Sequence, residues 1–432
     1  MLFLLAKNVN RIRFPTACYA ILRVCLVWST LSLLFTACHM SQKTLNSSEG
    51  PNRADGPSID PLAIHHTAIA IDMHADTPQR LVDEEIDLAR QLDDGHFDSP
   101  RARKGGLDAQ FFSIWVEPEL FGGGGVGAVK RADALIASVQ RLVERNPETW
   151  AMATSAAEIR SNAAAGKISA LLGLEGGYAI DERIENVERY YQVGVRYMSP
   201  AWSISTSWAG SSGDEVGRTR GLNEFGKSVV REMNRLGMMV DVSHVSDQTF
   251  WDIITTSSKP IIATHSACRA IANVPRNLDD EMIRALARTG GVVSVLFYPE
   301  FIEPGWSEKK KQVDAEIAPL VQRASDAEKG NTAQKKMARD RVRREQYATR
   351  LPAVGVARLV DHIDHIVGLV GVDHVGVGSD FDGVSATLSD LRTIADLPNL
   401  TRELVRRGYS ATDIEKILGG NILRVMAAVE QG

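Results

Sequence analysis

From Ala68 onward the chain alternates between two patterns. Short runs rich in β-branched or aromatic residues recur: "AIAIDMHA" (68–75), "AQFFSIWV" (109–116), "ISALLGLE" (168–175), "VRYMSPAW" (195–202), "MMVDVSHV" (238–245), "PIIATHSA" (260–267), "GVVSVLFY" (291–298) and "HVGVGSDF" (374–381). Between most of them lie amphipathic stretches such as "AVKRADALIASVQRLVER", "LNEFGKSVVREMNRLG" and "VARLVDHIDHIVGLVG". Their apolar residues have helical spacing, and several end in Gly. Near-continuous apolar strands that alternate with helices predict a parallel sheet, and eight such units fit a (β/α)8 TIM barrel with insertions. A doubly wound open sheet is the alternative.

Two segments depart from the alternation. The stretch 301–352, after the seventh strand, is charged and helix-prone, so it should lie on the barrel's C-terminal side as a lid or as a contact in a homodimer. A solvated helical arm is the simpler reading. At the other end, Arg11, Arg13 and Arg23 precede the apolar run "VCLVWSTLSLLF" (24–35) and then Thr36-Ala37-Cys38. That order predicts a secretory signal over 1–37 of bacterial lipoprotein type, with Cys38 acylated at the mature N-terminus. Residues 38–60, polar and rich in Ser, Gly and Pro, read as a flexible linker, which leaves 61–432 as the folded body.

Composition narrows the function. Of 432 residues, 44% are hydrophobic and 24% charged, which is globular rather than disordered. A net charge of -5 provides no basic field for nucleic acid, so a nucleic-acid partner is not expected. Cys18, Cys25 and Cys38 fall in the leader, so the body carries only Cys268 and cannot close an internal disulfide.

In a barrel, chemistry gathers at the C-terminal ends of the strands. His74 and Asp76 end the first run, Glu175 the third, His244 the fifth, His265 the sixth and Asp380 the eighth. Side chains two apart on a strand point the same way, so His74 and Asp76 can converge on one ion. Nitrogen and oxygen donors without thiolate suit Zn²⁺ or another divalent transition metal. Five ligands exceed the need of one open-sited zinc, so two ions sharing Glu175, with a bridging hydroxide as nucleophile, are more economical. Asp380 then serves as general base and general acid. The plainer alternative is that all of these are hydrogen-bonded polar strand ends.

Taken together, "IDMHADTP" (71–78), "LLGLEGG" (171–177), "DVSHVS" (241–246), "ATHSACRAIANVPRN" (263–277) and "HVGVGSDFDG" (374–383) resemble the membrane (renal-type) dipeptidases, a branch of the metal-dependent amidohydrolases. The resemblance implies that His74, Asp76 and Glu175 hold one zinc, that Glu175, His244 and His265 hold the other, and that Asp380 is the catalytic acid/base. It also implies that Arg276 binds the substrate's C-terminal carboxylate, a task its forked guanidinium suits. One departure stands out. Where the family carries a histidine that stabilises the oxyanion, this chain has Trp202, in "RYMSPAW" (196–202). An indole offers one N–H and no cationic form. Either another group takes that role, or the substrate differs, or turnover is slow; alternatively the segment realigns and Trp202 only packs at the rim.

Other motifs lead elsewhere. "GGGGVG" (122–127) satisfies Gly-x-Gly-x-x-Gly but lacks the ribose-binding acid at a following strand end, so it reads as a loop. His362 and His365, three apart on a helix, should lie on the flank of its apolar stripe or in solvent. His65, His66 and His96 have no evident partners, His374 starts a strand at the stability end, and Asp382 reads as a turn residue beyond the site. No Gly-x-Ser-x-Gly elbow is present. The sequence therefore predicts an exported, lipid-anchored envelope or periplasmic dizinc hydrolase of dipeptides, including those with D-amino acids. The alternatives are a dizinc enzyme for a non-peptide amide, lactone or ester, and an inactive binding lipoprotein.

Overall fold

The computed structural model describes residues 60–430 apart from 122 and 331, so the predicted signal, the acylation at Cys38 and nearly all of the linker lie outside the described residues. Nine strands form one parallel sheet: β1 (Ile71–Ala75), β2 (Ala109–Trp115), β3 (Trp150–Met152), β4 (Ile168–Glu175), β5 (Val195–Ser199), β6 (Met239–Asp241), β7 (Ile261–Ser266), β8 (Val292–Val295) and β9 (Val375–Val377). Eight run in the order β1-β2-β4-β5-β6-β7-β8-β9, while β3 pairs with β4 off that path. Helices connect them, and the result is a nearly closed (β/α)8 barrel.

Local chemistry accounts for the boundaries. Asn223, Ser246 and Asp279 accept backbone N–H groups from the first turns of the helices that follow them, and Gly237 ends the helix Glu224–Leu236 at φ 84°. The strands sort their side chains by parity. Phe111, Leu171, Tyr197, Met239 and Val292 join one buried cluster. Phe112, Leu172, Met198, Val240 and Val293 belong to the larger one. Period two therefore puts Leu171, Gly173 and Glu175 on one face of β4, with Glu175 at the mouth.

The barrel closes through its rim. β9 forms no ladder with β1; instead the Asp76 N–H donates to the Phe381 carbonyl at 2.8 Å and the Asp380 N–H to the His74 carbonyl at 3.0 Å. Below them the buried Asp72 carboxylate accepts the Ser379 N–H (2.7 Å) and hydroxyl (2.6 Å). The seam of the barrel and the ends of the site-bearing strands are thus one structure.

Two expectations need correction. Trp150–Met152 is a strand that the periodicity did not reveal: three residues are too few for a pattern, and it is set by pairing with Ile168–Ala170. The insertion is more than a solvated arm. Its helices Trp306–Ala327 and Thr332–Arg350 pack on each other through Val313, Ile317, Val321 and Tyr347. The second places Lys336, Met337, Asp340, Arg343 and Arg344 in the wall of the cavity at the barrel mouth.

Gly173 ties fold to site. A Cβ there would lie 1.9 Å from Cζ of Tyr197, so only glycine lets that ring cross the barrel. Gly173→Ala should lower the thermal midpoint, overpacking of this kind costing about 1–3 kcal/mol. An unchanged midpoint by circular dichroism would contradict the packing.

Candidate metal centre

The six residues singled out at the strand ends meet at one mouth. His74 lies within β1 and Asp76 just after it, Glu175 ends β4, and His265 is the penultimate residue of β7. His244 and Asp380 follow β6 and β9 by a few residues and adopt left-handed backbone at φ 69° and 62°. Non-glycine residues persist there only where the surroundings impose it, a feature that concentrates at functional sites.

Glu175 is the hub. One carboxylate oxygen lies 3.1 Å from His74 Nε2, and the other lies 2.9 Å from His244 Nε2 and 3.6 Å from His265 Nε2. Asp76 approaches His74 Nε2 at 3.6 Å. Donor atoms gather in three overlapping sets: His74, Asp76, Glu175; Glu175, His244, His265; and His74, His265, Asp380. Glu175 is common to the first two.

The hydrogen bonds behind these groups decide what they can hold. The Tyr197 hydroxyl can donate to the Met73 carbonyl (3.3 Å), which leaves its oxygen to accept from His74 Nδ1 at 2.9 Å. The Thr264 hydroxyl donates to Asp241 (2.8 Å) and so accepts from His265 Nδ1 (2.8 Å). Both imidazoles therefore aim Nε2 at Glu175, His265 as a bare lone pair. At His74 burial acts downward, but Tyr197 and Glu175 outweigh it and hold the ring well above its ordinary value, so a cation there takes the place of a proton. The His265 lone pair thus faces an anion, and the His244 and His265 Nε2 atoms stand 2.9 Å apart, within reach of one shared cation. Buried Asp76 Oδ1 has no hydrogen-bond partner among the described residues. A divalent cation would satisfy these converging donor atoms together, so the donor set fits a metal. Ser113 adds a 2.8 Å hydrogen bond that orients the Glu175 carboxylate.

Burial and charge reinforce the arrangement. Burial pushes His244 down to about 4, with Arg276 adding to the shift, and drives His265 well below its ordinary value, so both rings are neutral ligands near pH 7. For Glu175 burial acts upward, but His74 and the hydrogen bond from His244 outweigh it and hold the carboxyl below its usual range. Asp380 is lifted well above the carboxylate range, first by burial and then by Asp76 and Glu175, against the pull of His74. Gly383 leaves room for both acids, since a Cβ there would lie 2.1 Å from Asp76 Oδ2 and 2.7 Å from Asp380 Oδ1.

A cavity of about 450 Å³ opens above the cluster. Trp202 and Trp115 form an aromatic wall with ring centroids 4.8 Å apart, and Trp202 lies 6.3 Å from the His244 ring. Trp202 is therefore beside the cluster. Arg276 is buried behind the mouth. It donates to Ser266 Oγ (2.9 Å) and to the His265 carbonyl (2.7 Å), lies over Phe301, and leaves Nε without a partner.

Several side chains were misjudged or missed. His362 is fully buried rather than on the flank or in solvent, accepting the Cys268 N–H at 3.0 Å and bonding the Ile302 carbonyl at 2.9 Å. His65 is fixed by Thr401 and Gly105, each at 2.7 Å. His96 pairs with Asp382, which sits in a turn as expected and there binds the Thr77 hydroxyl (2.7 Å) and the His96 N–H (2.8 Å). Tyr197 and Ser113 could have been found from strand parity, whereas Thr264 and Asp241 required the fold.

A (β/α)8 barrel whose strand ends converge on a shared carboxylate defines the class of metal-dependent hydrolases. Within it, the profile of "Membrane dipeptidase (Peptidase family M19)" matches residues 61–432, and the chain belongs to that family. It is 32% identical to the dipeptidase aclJ of Aspergillus oryzae over 345 residues, 78% of this chain and 70% of that protein. It is 30% identical to the dipeptidase verJ of Clonostachys rogersoniana over 373 residues, 84% of each. Among solved structures, the fold is shared with the probable dipeptidase PvdM of Pseudomonas aeruginosa, at a TM-score of 0.73 and 24% identity over 86% of this chain and 98% of that one. It is also shared with a metallopeptidase of Rhodobacter sphaeroides bound to a phosphinate mimic of L-Ala-D-Ala, at 0.68 and 24% over 84% and 99%.

The purified protein should carry bound transition metal, and Glu175→Gln should remove most of it. Elemental analysis that finds wild-type metal content in the variant would take Glu175 out of the site.

Proposed function

We propose that this metallo-dipeptidase hydrolyses the amide bond of dipeptides with two Zn²⁺ or similar divalent ions, sharing Glu175 between His74 and Asp76 on one side and His244 and His265 on the other. The observation that carries this reading is the Glu175 carboxylate, both of whose oxygens face imidazole nitrogens. When bound, the metal pair supplies Lewis acidity toward the scissile carbonyl and an acidified water as nucleophile. The chain's own residues do the rest.

Arg276 grips the substrate's C-terminal carboxylate through its unpartnered Nε edge, which sets the amide over the cluster. Asp380 takes the proton released as water adds to the carbonyl carbon and passes it to the amine nitrogen as the C–N bond breaks. A carboxyl raised by burial suits both halves of that exchange. Trp202 and Trp115 restrict water on the opposite wall. With Trp202 in place of a histidine, the oxyanion loses a donor that typically contributes on the order of a hundredfold to a thousandfold.

The same reading includes export and lipid anchoring at Cys38 in a bacterial envelope or periplasm, supported by the basic and apolar order of residues 11–38. Dipeptides released from peptidoglycan, with D-residues among them, suit that location, and the insertion could serve as a homodimer contact.

A panel of L,L and L,D dipeptides assayed beside lactones and esters tests the substrate class: metal-dependent cleavage of dipeptides is expected, and turnover confined to lactones or esters would overturn it. Asp380→Asn should keep its metal yet lose about 10²- to 10⁴-fold in kcat; full activity would remove it from the mechanism. Trp202→His should raise dipeptide hydrolysis, and an unchanged rate would show that the indole does not limit turnover.

A further inference from the structure

Two polar groups in the cavity wall have no partner among the described residues, and neither belongs to the ligand cluster. The first is Nε2 of His96, on the connection between β1 and β2. His96 Nδ1 accepts the Asp382 N–H at 2.9 Å, so the ring proton resides on Nε2, a free donor at the wall. Asp382 cannot compete for it, being committed to Thr77 and to the His96 backbone. Burial pushes the ring's pKa down, Asp382 acts against it, and the charges of Arg344, Arg80 and Arg101 act with burial, for a net lowering.

The second group is the Arg344 guanidinium, on the insertion helix. Its neighbours Lys336 and Arg343 share Asp340, at 3.2 and 2.9 Å. Elsewhere in the wall, Arg80 is paired with Glu84 and Asp94, and Arg131 with Asp83. Arg344 has no carboxylate within ion-pair distance among the described residues. Glu117, also in the wall, is raised by burial and lowered by Lys336, and makes no ion pair with Arg344 among the described residues. A half-buried cation with no counter-charge is costly, and an anionic ligand offsets the cost.

We propose that His96 and Arg344 form a second anion-binding subsite, which takes a carboxylate on the side chain of the substrate's N-terminal residue. The proposal rests on the dipeptidase reading above. Arg276 follows β7 and lies over Phe301, whereas His96 and Arg344 stand on the β1 side of the mouth. A dipeptide with its terminal carboxylate at Arg276 and its amide over Glu175 extends its N-terminal half toward them. One neutral and one charged donor on the same wall match the two oxygens of an aspartyl or glutamyl side chain.

The test compares kcat/KM for Glu-Ala with Gln-Ala, and for Ala-Glu with Ala-Gln, in the metal-loaded enzyme. Calorimetric binding of uncleavable reduced-amide analogues of Glu-Ala and Gln-Ala runs in parallel. Glu-Ala should be favoured over Gln-Ala about tenfold, as expected for a charge-assisted hydrogen bond. The ratio should fall toward one in Arg344→Gln, fall by a smaller factor in His96→Gln, and be partly retained in Arg344→Lys. Equal wild-type values, a ratio untouched by Arg344→Gln, or a preference confined to Ala-Glu would overturn the subsite. Tighter binding of the Glu-Ala analogue without turnover of any dipeptide would support the subsite and overturn the dipeptidase reading instead.

Discussion

The structure depends on one constraint: an ionised carboxylate, Glu175, is buried at the centre of a barrel mouth with imidazole nitrogens against both oxygens. Taking such a charge out of water is costly unless it is paired. Tyr197 and Thr264 take the Nδ1 protons of His74 and His265, so both rings aim Nε2 at the cluster. The centre is thus built to be completed by positive charge, and the residues around it are placed to serve that need.

This explains why fold and chemistry cannot be separated here. Tyr197 crosses the barrel over Gly173 to fix His74. Asp72 binds Ser379 and so helps to close the seam that holds Asp380 beside His74 and Asp76. The left-handed backbone of Asp380 is tied to the seam by its N–H bond to the His74 carbonyl, and that of His244 by the Ser212 N–H and hydroxyl on its carbonyl. Strain at these positions is offset by the barrel, a rigid scaffold that keeps its catalytic groups oriented.

Much of this was legible in the chain. Eight apolar runs marked the barrel strands, and polar residues at their C-terminal ends, two apart or in phase with the inward face, marked the mouth. Glu175 illustrates why: strand parity alone puts it on the face of Leu171. What stayed hidden depends on distance rather than pattern. His96 and Asp382 are 286 positions apart, and Trp115 meets Trp202 only because β2 and β5 flank β4. The cavity-facing stripe of the insertion was unreadable for another reason. Lys336, Asp340 and Arg343 recur at helical spacing, but a charged stripe looks the same whether it faces water or a substrate.

Anomalous diffraction from crystals of the metal-loaded protein, recorded across the absorption edge of the bound metal, tests the central claim most directly. Two peaks are expected, one on each side of the Glu175 carboxylate and each within bonding distance of one of its oxygens. A single peak, or peaks at ligands that exclude Glu175, would contradict the account.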